Sequence, residues 1–183
     1  MTETLPTRSH GPNPWRMPGW TLALLLLLLP AVAMQFTDEV NWTASDFIFA
    51  AIVFGITGSL IEFMVRRSPN AAYRSGAVVA VLGLFLLVWL NAAVGLIGSE
   101  NSDANAMYAG VIGVLIVGTI LSRLRAAAMV QALVATAIAQ AIVGFIAIVW
   151  QLGFKGPDIM FIGIWLASAA LFHVSSRQQR EAI

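Results

Sequence analysis

Long apolar stretches, separated by short polar ones, run through almost the whole chain, and their lengths predict membrane-spanning helices. Six stretches approach the roughly 20 apolar residues that a helix needs to cross a hydrocarbon core of about 30 Å. They cover residues 20–36, 47–65, 76–97, 104–121, 126–152 and 159–174. The runs lack the alternation of apolar and polar residues that strands of a membrane barrel show. We therefore predict an all-α integral membrane bundle of six transmembrane helices with short loops.

The distribution of arginine and lysine predicts the orientation of these spans. If the N-terminus is cytoplasmic, Lys155 is the one residue of the ten Lys and Arg that falls outside, and the other nine fall inside: Arg8, Arg16, Arg66, Arg67, Arg74, Arg123, Arg125, Arg177 and Arg180. Under the positive-inside rule this split requires an even number of spans, with both termini inside. The chain then divides into a polar cytoplasmic tail at residues 1–19, a single six-helix membrane domain at 20–176 and a cytoplasmic C-terminal tail at 177–183.

The first apolar stretch has a second interpretation, as a secretory signal peptide. Two arginines, the leucine-rich run 22–29 and the breaker with small residues at 30–33 match the three parts of such a peptide. Cleavage there would leave five spans and an N-terminus outside. We favour retention of residues 1–33, because the segment that follows is itself a membrane helix.

Composition supports the membrane assignment and excludes several classes of function. The chain is 59% apolar and 10% charged, whereas a soluble domain is about 25% charged. A formal net charge of +1 provides no electrostatic footprint for nucleic acid. The absence of cysteine excludes disulfides, thiolate metal sites and a cysteine nucleophile. His10 and His173 lie at opposite ends of the chain, so we expect no metal and no cofactor.

Acidic residues at the starts of three spans are explained by helix capping. Asp46, Asp103 and Asp158 each lie near the first turn of a span that ends in arginine. Carboxylates near helix N-termini and cations near C-termini both complement the helix macrodipole. We therefore interpret these three aspartates as helix-terminal residues rather than as members of a site.

Four polar residues are the candidates for a polar site in or near the membrane: Glu62, Asn91, Gln140 and Glu100. Glu62 precedes Arg66 by four residues, which favours an ion pair near the interface over a proton or cation site. Asn91 and Gln140 are typical of amides that hydrogen-bond between helices. The alternative places Asn91 and Glu100 in an outward-open polar cavity, with Trp89 or Tyr108 on its wall.

Small residues at four-residue intervals predict close helix packing. They are Ala51, Gly55 and Ser59; Ala109 and Gly113; and Ala128, Ala132, Thr136, Gln140 and Gly144; Gly110 and Gly118 lie two such intervals apart, with Val114 between them. Such stripes suit either another helix of the same chain or a neighbouring protein. Because Glu62, near the interface, is the one ionisable residue inside a span, and acid–base catalysis needs paired groups, we expect the protein not to be an enzyme.

Three segments together resemble a known family. They are AMQFTDEVNWT at residues 33–43, RRSPNAAYRSG at 66–76 and WLNAAVGLIGSENSDANAMY at 89–108. They are similar to an uncharacterised family of small polytopic inner-membrane proteins of alphaproteobacteria, over about residues 20–148. The resemblance implies a multi-pass protein of a bacterial inner (plasma) membrane and carries over no catalytic or binding residues.

The sequence predicts a non-enzymatic accessory or interaction subunit of a membrane complex or homo-oligomer, since packing helices suffice for that role. Its partners would be the lipid bilayer and other copies or a larger membrane complex, and no nucleic acid. The alternative is a carrier or channel for a small solute or ion, which needs a buried polar path. Convergence of the polar candidates on one cavity would favour the carrier.

Overall fold

The computed structural model describes residues 16–99, 101–153 and 156–181. Within these ranges it is helical and contains no β-strand. The helices are α1 (Arg16–Ala33), α2 (Ala44–Arg67), α3 (Ala71–Ala93), a short 3₁₀ helix (Asp103–Ala106), α4 (Met107–Ser122), α5 (Ala126–Val149) and α6 (Asp158–Glu181). Five described helices are long and apolar enough to cross a membrane, and Met17–Ala33 is a shorter apolar helix. The chain is thus an all-helical, multi-pass membrane protein, while the number of spans and their orientation stay predictions.

Among the helix boundaries that differ from the sequence pattern are the ends of α3 and α6. The helix α3 ends at Ala93, although the apolar run continues to residue 97, because Gly95 and Gly98 adopt positive φ angles of 64° and 65° that a right-handed helix cannot contain. The helix α6 continues to Glu181, so the described part of the expected C-terminal tail is helical. Apolar content alone does not locate these ends.

The chain forms two compact units, residues 1–62 and residues 63–183. In the first unit, the Trp20 ring packs against Gly58, where an added Cβ would lie 3.1 Å from the ring. Trp20 Nε1 also donates to Glu62 Oε2 at 3.5 Å. The start of α2 is capped by Asp46, whose carboxylate accepts the Thr43 backbone N–H at 2.7 Å. This is the capping that the sequence predicts for Asp46.

In the second unit, α6 packs between α3 and α5, and α4 packs on α5. The closest approach is between α3 and α6, where a Cβ added at Gly83 would lie 2.6 Å from Ile164. Ser168 Oγ of α6 donates to the Gly76 carbonyl of α3 at 2.8 Å. The absence of a side chain at two α3 glycines therefore lets α6 lie directly against the α3 backbone.

The small residues of α5 and α4 face different surroundings. On α5, Ala132, Thr136 and Gly144 are buried, and Ala132 fills the space beside Gly118 of α4, where an added Cβ would be 2.8 Å away. Most of the α5 stripe is therefore used inside the chain. At Gly110 and Gly113 of α4, by contrast, an added Cβ would meet no described atom within 4 Å.

Candidate functional site

Four buried polar side chains of α4, α5 and α6 form one hydrogen-bonded group, which we call the aspartate cluster: Tyr108, Gln140, Asp158 and Trp165. Gln140 Nε2 donates to Asp158 Oδ1 at 2.6 Å. Tyr108 Oη donates to both Asp158 carboxylate oxygens, at 3.1 Å each. Trp165 Nε1 donates to Gln140 Oε1 at 3.4 Å. Asp158 is 2% exposed and the other three side chains are 0% exposed, so the cluster is closed to solvent.

The helical hairpin of α4 and α5 brings the first members of the cluster together. The two helices run antiparallel about a tight turn at residues 123–125, so Tyr108, near the start of α4, lies opposite Gln140. From Gln140, α5 continues nine residues to Val149, about 13 Å along its axis. Because Asp158 and Trp165, seven residues farther along α6, both bond Gln140, the first two turns of α6 lie beside this part of α5. The carboxyl group is thereby placed inside the bundle.

The chemistry of the cluster follows from its donors and its one acid. The carboxyl oxygens of Asp158 are acceptors, and here they receive an amide N–H and a shared phenol O–H. A buried carboxyl group without such donors would be destabilising. The cluster therefore cross-links α4, α5 and α6, and it places one acidic group and one phenol in direct contact inside an apolar bundle.

A second polar group lies at the same end of the unit and is centred on Asn105, which is 5% exposed. Its Oδ1 accepts the backbone N–H groups of Leu96 and Ile97, both at 2.9 Å, and its Nδ2 donates to the Ser99 carbonyl at 2.7 Å. These bonds hold the loop that follows α3. We call this end of the second unit, where α3 finishes and α4 and α6 begin, the aspartate end.

Two glycines join this loop to the segment after α5. The N–H of Gly98 donates to the Gly153 carbonyl at 3.0 Å, and a Cβ added at Gly153 would lie 3.1 Å from the Gly98 Cα. Both residues have positive φ angles, 65° and 80°. Only glycine allows this approach at little cost. The two glycines therefore hold the loop after α3 against the segment after α5.

Of the four predicted polar residues, Asn91 and Gln140 are described within the second unit, and they lie in separate hydrogen-bonded groups. Gln140 belongs to the aspartate cluster. Asn91 lies in the separate group, where its Nδ2 donates to the Asn105 carbonyl at 3.5 Å and its buried Oδ1 has no partner among the described residues. Glu62 lies in the first unit with Trp20. Glu100 lies outside the described residues.

Sequence reasoning missed two members of the cluster and misplaced a third. Asp158 lies in the first turn of α6 as predicted, yet its carboxylate serves Gln140 and Tyr108. The expectation that it acts only as a helix-terminal residue is therefore wrong. The alternative with an outward-open cavity placed Trp89 or Tyr108 on its wall, whereas Tyr108 is fully buried. Trp165 stands in an apolar run that offers no signal for a polar contact.

The described residues contain no group of three or more His, Cys, Asp or Glu side chains that could hold a metal ion. In comparisons with protein-family models, with curated proteins and with solved structures, no match to this chain was found. The resemblance to a family of bacterial inner-membrane proteins therefore stays a prediction.

Proposed function

We propose that this protein is a non-enzymatic membrane subunit that associates laterally with another helix, either in a second copy or in a larger membrane complex. The observation that carries the proposal is the open glycine face of α4. Gly110 and Gly113 lie on one side of that helix with no described atom near the position of a Cβ. At Gly118 of the same helix, by contrast, Ala132 of α5 already fills the space.

The open face has the composition that favours helix association in lipid. Its half toward the aspartate end carries small residues, and its other half carries branched apolar side chains that are exposed: Val114, Val117, Ile120 and Leu121. In a bilayer, small residues let two helix backbones approach, and van der Waals packing and hydrogen bonds then drive association. A partner helix could pack its large side chains against the branched residues and bring its backbone close to the glycines.

The arrangement of the polar residues supports this function over a solute pathway. Gln140 is buried and bonded to Asp158, while Asn91 is bonded in a different group. A carrier site is commonly built where broken helices expose backbone at mid-depth. In the second unit, α5 instead runs unbroken past Gln140, and α6 is unbroken from Asp158 onward.

The test compares substitutions on the open face with one at another open glycine. In mild detergent, the wild-type protein is expected to run as a dimer or with a co-purifying membrane protein, and the double variant Gly110→Ile, Gly113→Ile as a lone chain. Gly163→Ile is the matched control, because Gly163 of α6 also has no described atom within 4 Å of an added Cβ. Native mass spectrometry measures the assembly. A monomeric wild type, or equal loss in the control, contradicts the proposal.

A second candidate function is a proton or cation carrier, and Asp158 is the observation that favours it. Ionisable residues within membrane helices mark ion pathways in many transporters, and Asp158 is a buried acid among the described residues of the second unit. If this function is correct, Asp158→Asn abolishes flux in liposomes, while Glu62→Gln leaves it intact. Flux by a lone monomer would favour the carrier over the subunit.

We also propose that the arginine-bearing helix ends face the cytoplasm of a bacterium, with both termini inside and six spans. The nine-to-one distribution of Arg and Lys supports this orientation. Reporter fusions after Arg74 and after Asn101 should report opposite compartments. Reporters in the same compartment would contradict the topology, and an intact mass lacking residues 1–33 would show that a signal peptide is cleaved.

A further inference from the structure

The end of the second unit opposite the aspartate cluster contains an open pocket of about 410 Å³. Here α2 and α6 finish and α3 and α5 begin, and we call it the arginine end. Ten residues line the pocket: Arg67, Ser68, Tyr73, Leu124, Arg125, Ala126, Ala127, Ser176, Gln179 and Arg180. Among these described lining residues three are cationic and none is acidic.

The pocket has a buried floor and a cationic rim. Ser68, Tyr73, Ala126 and Ser176 form the floor and are all buried. The three arginines and Gln179 are exposed at the rim. Ser68 Oγ accepts the Asn70 N–H at 3.2 Å, which leaves its own hydroxyl proton available to a ligand. The pocket thus combines charge at its mouth with a neutral donor at its base.

The corner between α4 and α5 is held in an unusual conformation that places Arg125 at this pocket. Arg123 and Leu124 have φ angles of 48° and 59°, a left-handed conformation that costs a non-glycine residue about 1–2 kcal/mol. Tyr73 Oη donates to the Leu124 carbonyl at 3.0 Å, and Ser122 Oγ accepts the Leu124 N–H at 3.1 Å. Strain of this kind persists where surrounding contacts hold it, often at functional sites.

The start of α5 adds backbone donors to the same pocket. No side chain caps this helix end, and its first helical hydrogen bond runs from the Met129 N–H to the Arg125 carbonyl at 2.9 Å. The N–H groups of residues 126–128 therefore precede the intrahelical ladder and are available to an acceptor. Ala126 and Ala127 line the pocket, so these donors and the positive end of the α5 dipole lie beside the arginines.

We propose that this pocket binds a phosphate-bearing anion. Arginine guanidinium groups match phosphate oxygens with paired N–H donors, and helix N-termini bind phosphate through free N–H groups. The pocket volume falls within the range of about 300–1,000 Å³ that is usual for ligand sites. Because the pocket lies at the ends of membrane helices, an anionic phospholipid headgroup would reach it from the bilayer surface, and free phosphate would reach it from water.

The test measures thermal stabilisation of the purified full-length protein in detergent by phosphatidylglycerol, with phosphatidylcholine as the zwitterionic control. Sodium phosphate against sodium chloride at equal ionic strength forms the second arm. The variant Arg67→Gln, Arg125→Gln removes two rim cations. The variant Arg123→Gln, Arg177→Gln is its control, because it loses the same charge at two exposed arginines that do not line this pocket.

We expect phosphatidylglycerol to stabilise the wild type and the control variant, and its apparent affinity to fall about thirtyfold in the pocket variant. Stabilisation by sodium phosphate with the same dependence on Arg67 and Arg125 would support the site and assign it to a soluble phosphate. Equal losses in the two variants, or no preference for either anion, would overturn the proposal. Should the pocket variant not fold, Ser68→Ala tests the floor with no change of charge.

Discussion

The two ends of the second unit treat their polar groups in opposite ways. At the aspartate end, the donors of Tyr108 and Gln140 are bonded to Asp158 and buried with it. At the arginine end, cations stand exposed around an open pocket and the first N–H groups of α5 have no capping side chain. One end uses its polar groups to hold helices together, whereas the other leaves them available.

Burial and pairing therefore distinguish a structural polar group from a binding one better than residue type does. A buried polar atom that loses its partner is destabilising, so the aspartate end should be intolerant of substitution. An exposed cation remains solvated when its neighbours change. Substitutions at the arginine end should therefore change the free energy of unfolding little and should change the affinity for a ligand. Measurements of stability test this contrast between the two ends.

Replacement of Asp158 by alanine should have the largest effect. It leaves the Tyr108 hydroxyl and the Gln140 amide buried without an acceptor, and we expect a loss on the order of 3 kcal/mol. Asp158→Asn is the matched control, because its carbonyl oxygen still accepts one of these donors. Equilibrium unfolding in mixed detergent micelles measures both. If the alanine variant is as stable as the wild type, the aspartate end is not held by this cluster.

Replacement of Asn105 by alanine should come next, at about 2 kcal/mol. The change removes the acceptor of the Leu96 and Ile97 N–H groups and the donor to Ser99. Ser102→Ala provides the control, because the Ser102 side chain makes no capping hydrogen bond. Hydrogen exchange at residues 96 and 97 should rise in the Asn105 variant alone. Unchanged exchange there would mean that the loop is held by other contacts.

The same Tyr→Phe change at each end compares the loss of a buried hydrogen bond with the loss of a partly exposed one. Tyr108→Phe removes one of the two donors to a buried carboxylate and should cost about 1–2 kcal/mol. Tyr73→Phe frees the carbonyl of Leu124, which is partly exposed and can bond water, so we expect about 0.5–1 kcal/mol. Thermal unfolding of the two variants under one condition measures the order. A larger loss at Tyr73 would reverse our assignment of the two ends.

Neutralisation of the rim should have the smallest effect on stability. Arg67→Gln and Arg180→Gln alter exposed side chains, and each should change the free energy of unfolding by less than about 0.5 kcal/mol in a neutral detergent. The expected change is instead in binding of phosphatidylglycerol. A loss above about 2 kcal/mol for either variant would show that the arginines stabilise the fold itself.

The amino-acid sequence by itself determined that the chain is helical and membrane-embedded. The apolar stretches are long enough to span a bilayer, and the backbone in lipid must satisfy its own hydrogen bonds, which leaves helices for such runs. The cap at Asp46 was also readable, because Thr43 and Asp46 interact within one turn. Features of this kind depend on neighbours in sequence or on total apolar length.

Which polar residues hydrogen-bond to one another depends instead on the tertiary structure. Asp46 and Asp158 look alike in sequence, each at the start of an apolar helix, yet the first caps its own helix and the second bonds two others. The difference arises because the first two turns of α6 pack against Gln140 of α5 and Tyr108 of α4, a placement that no local pattern encodes. The arginine pocket likewise requires the last turns of α2 and α6 to lie beside the first turn of α5. Its residues are far apart in the sequence and become neighbours only through packing.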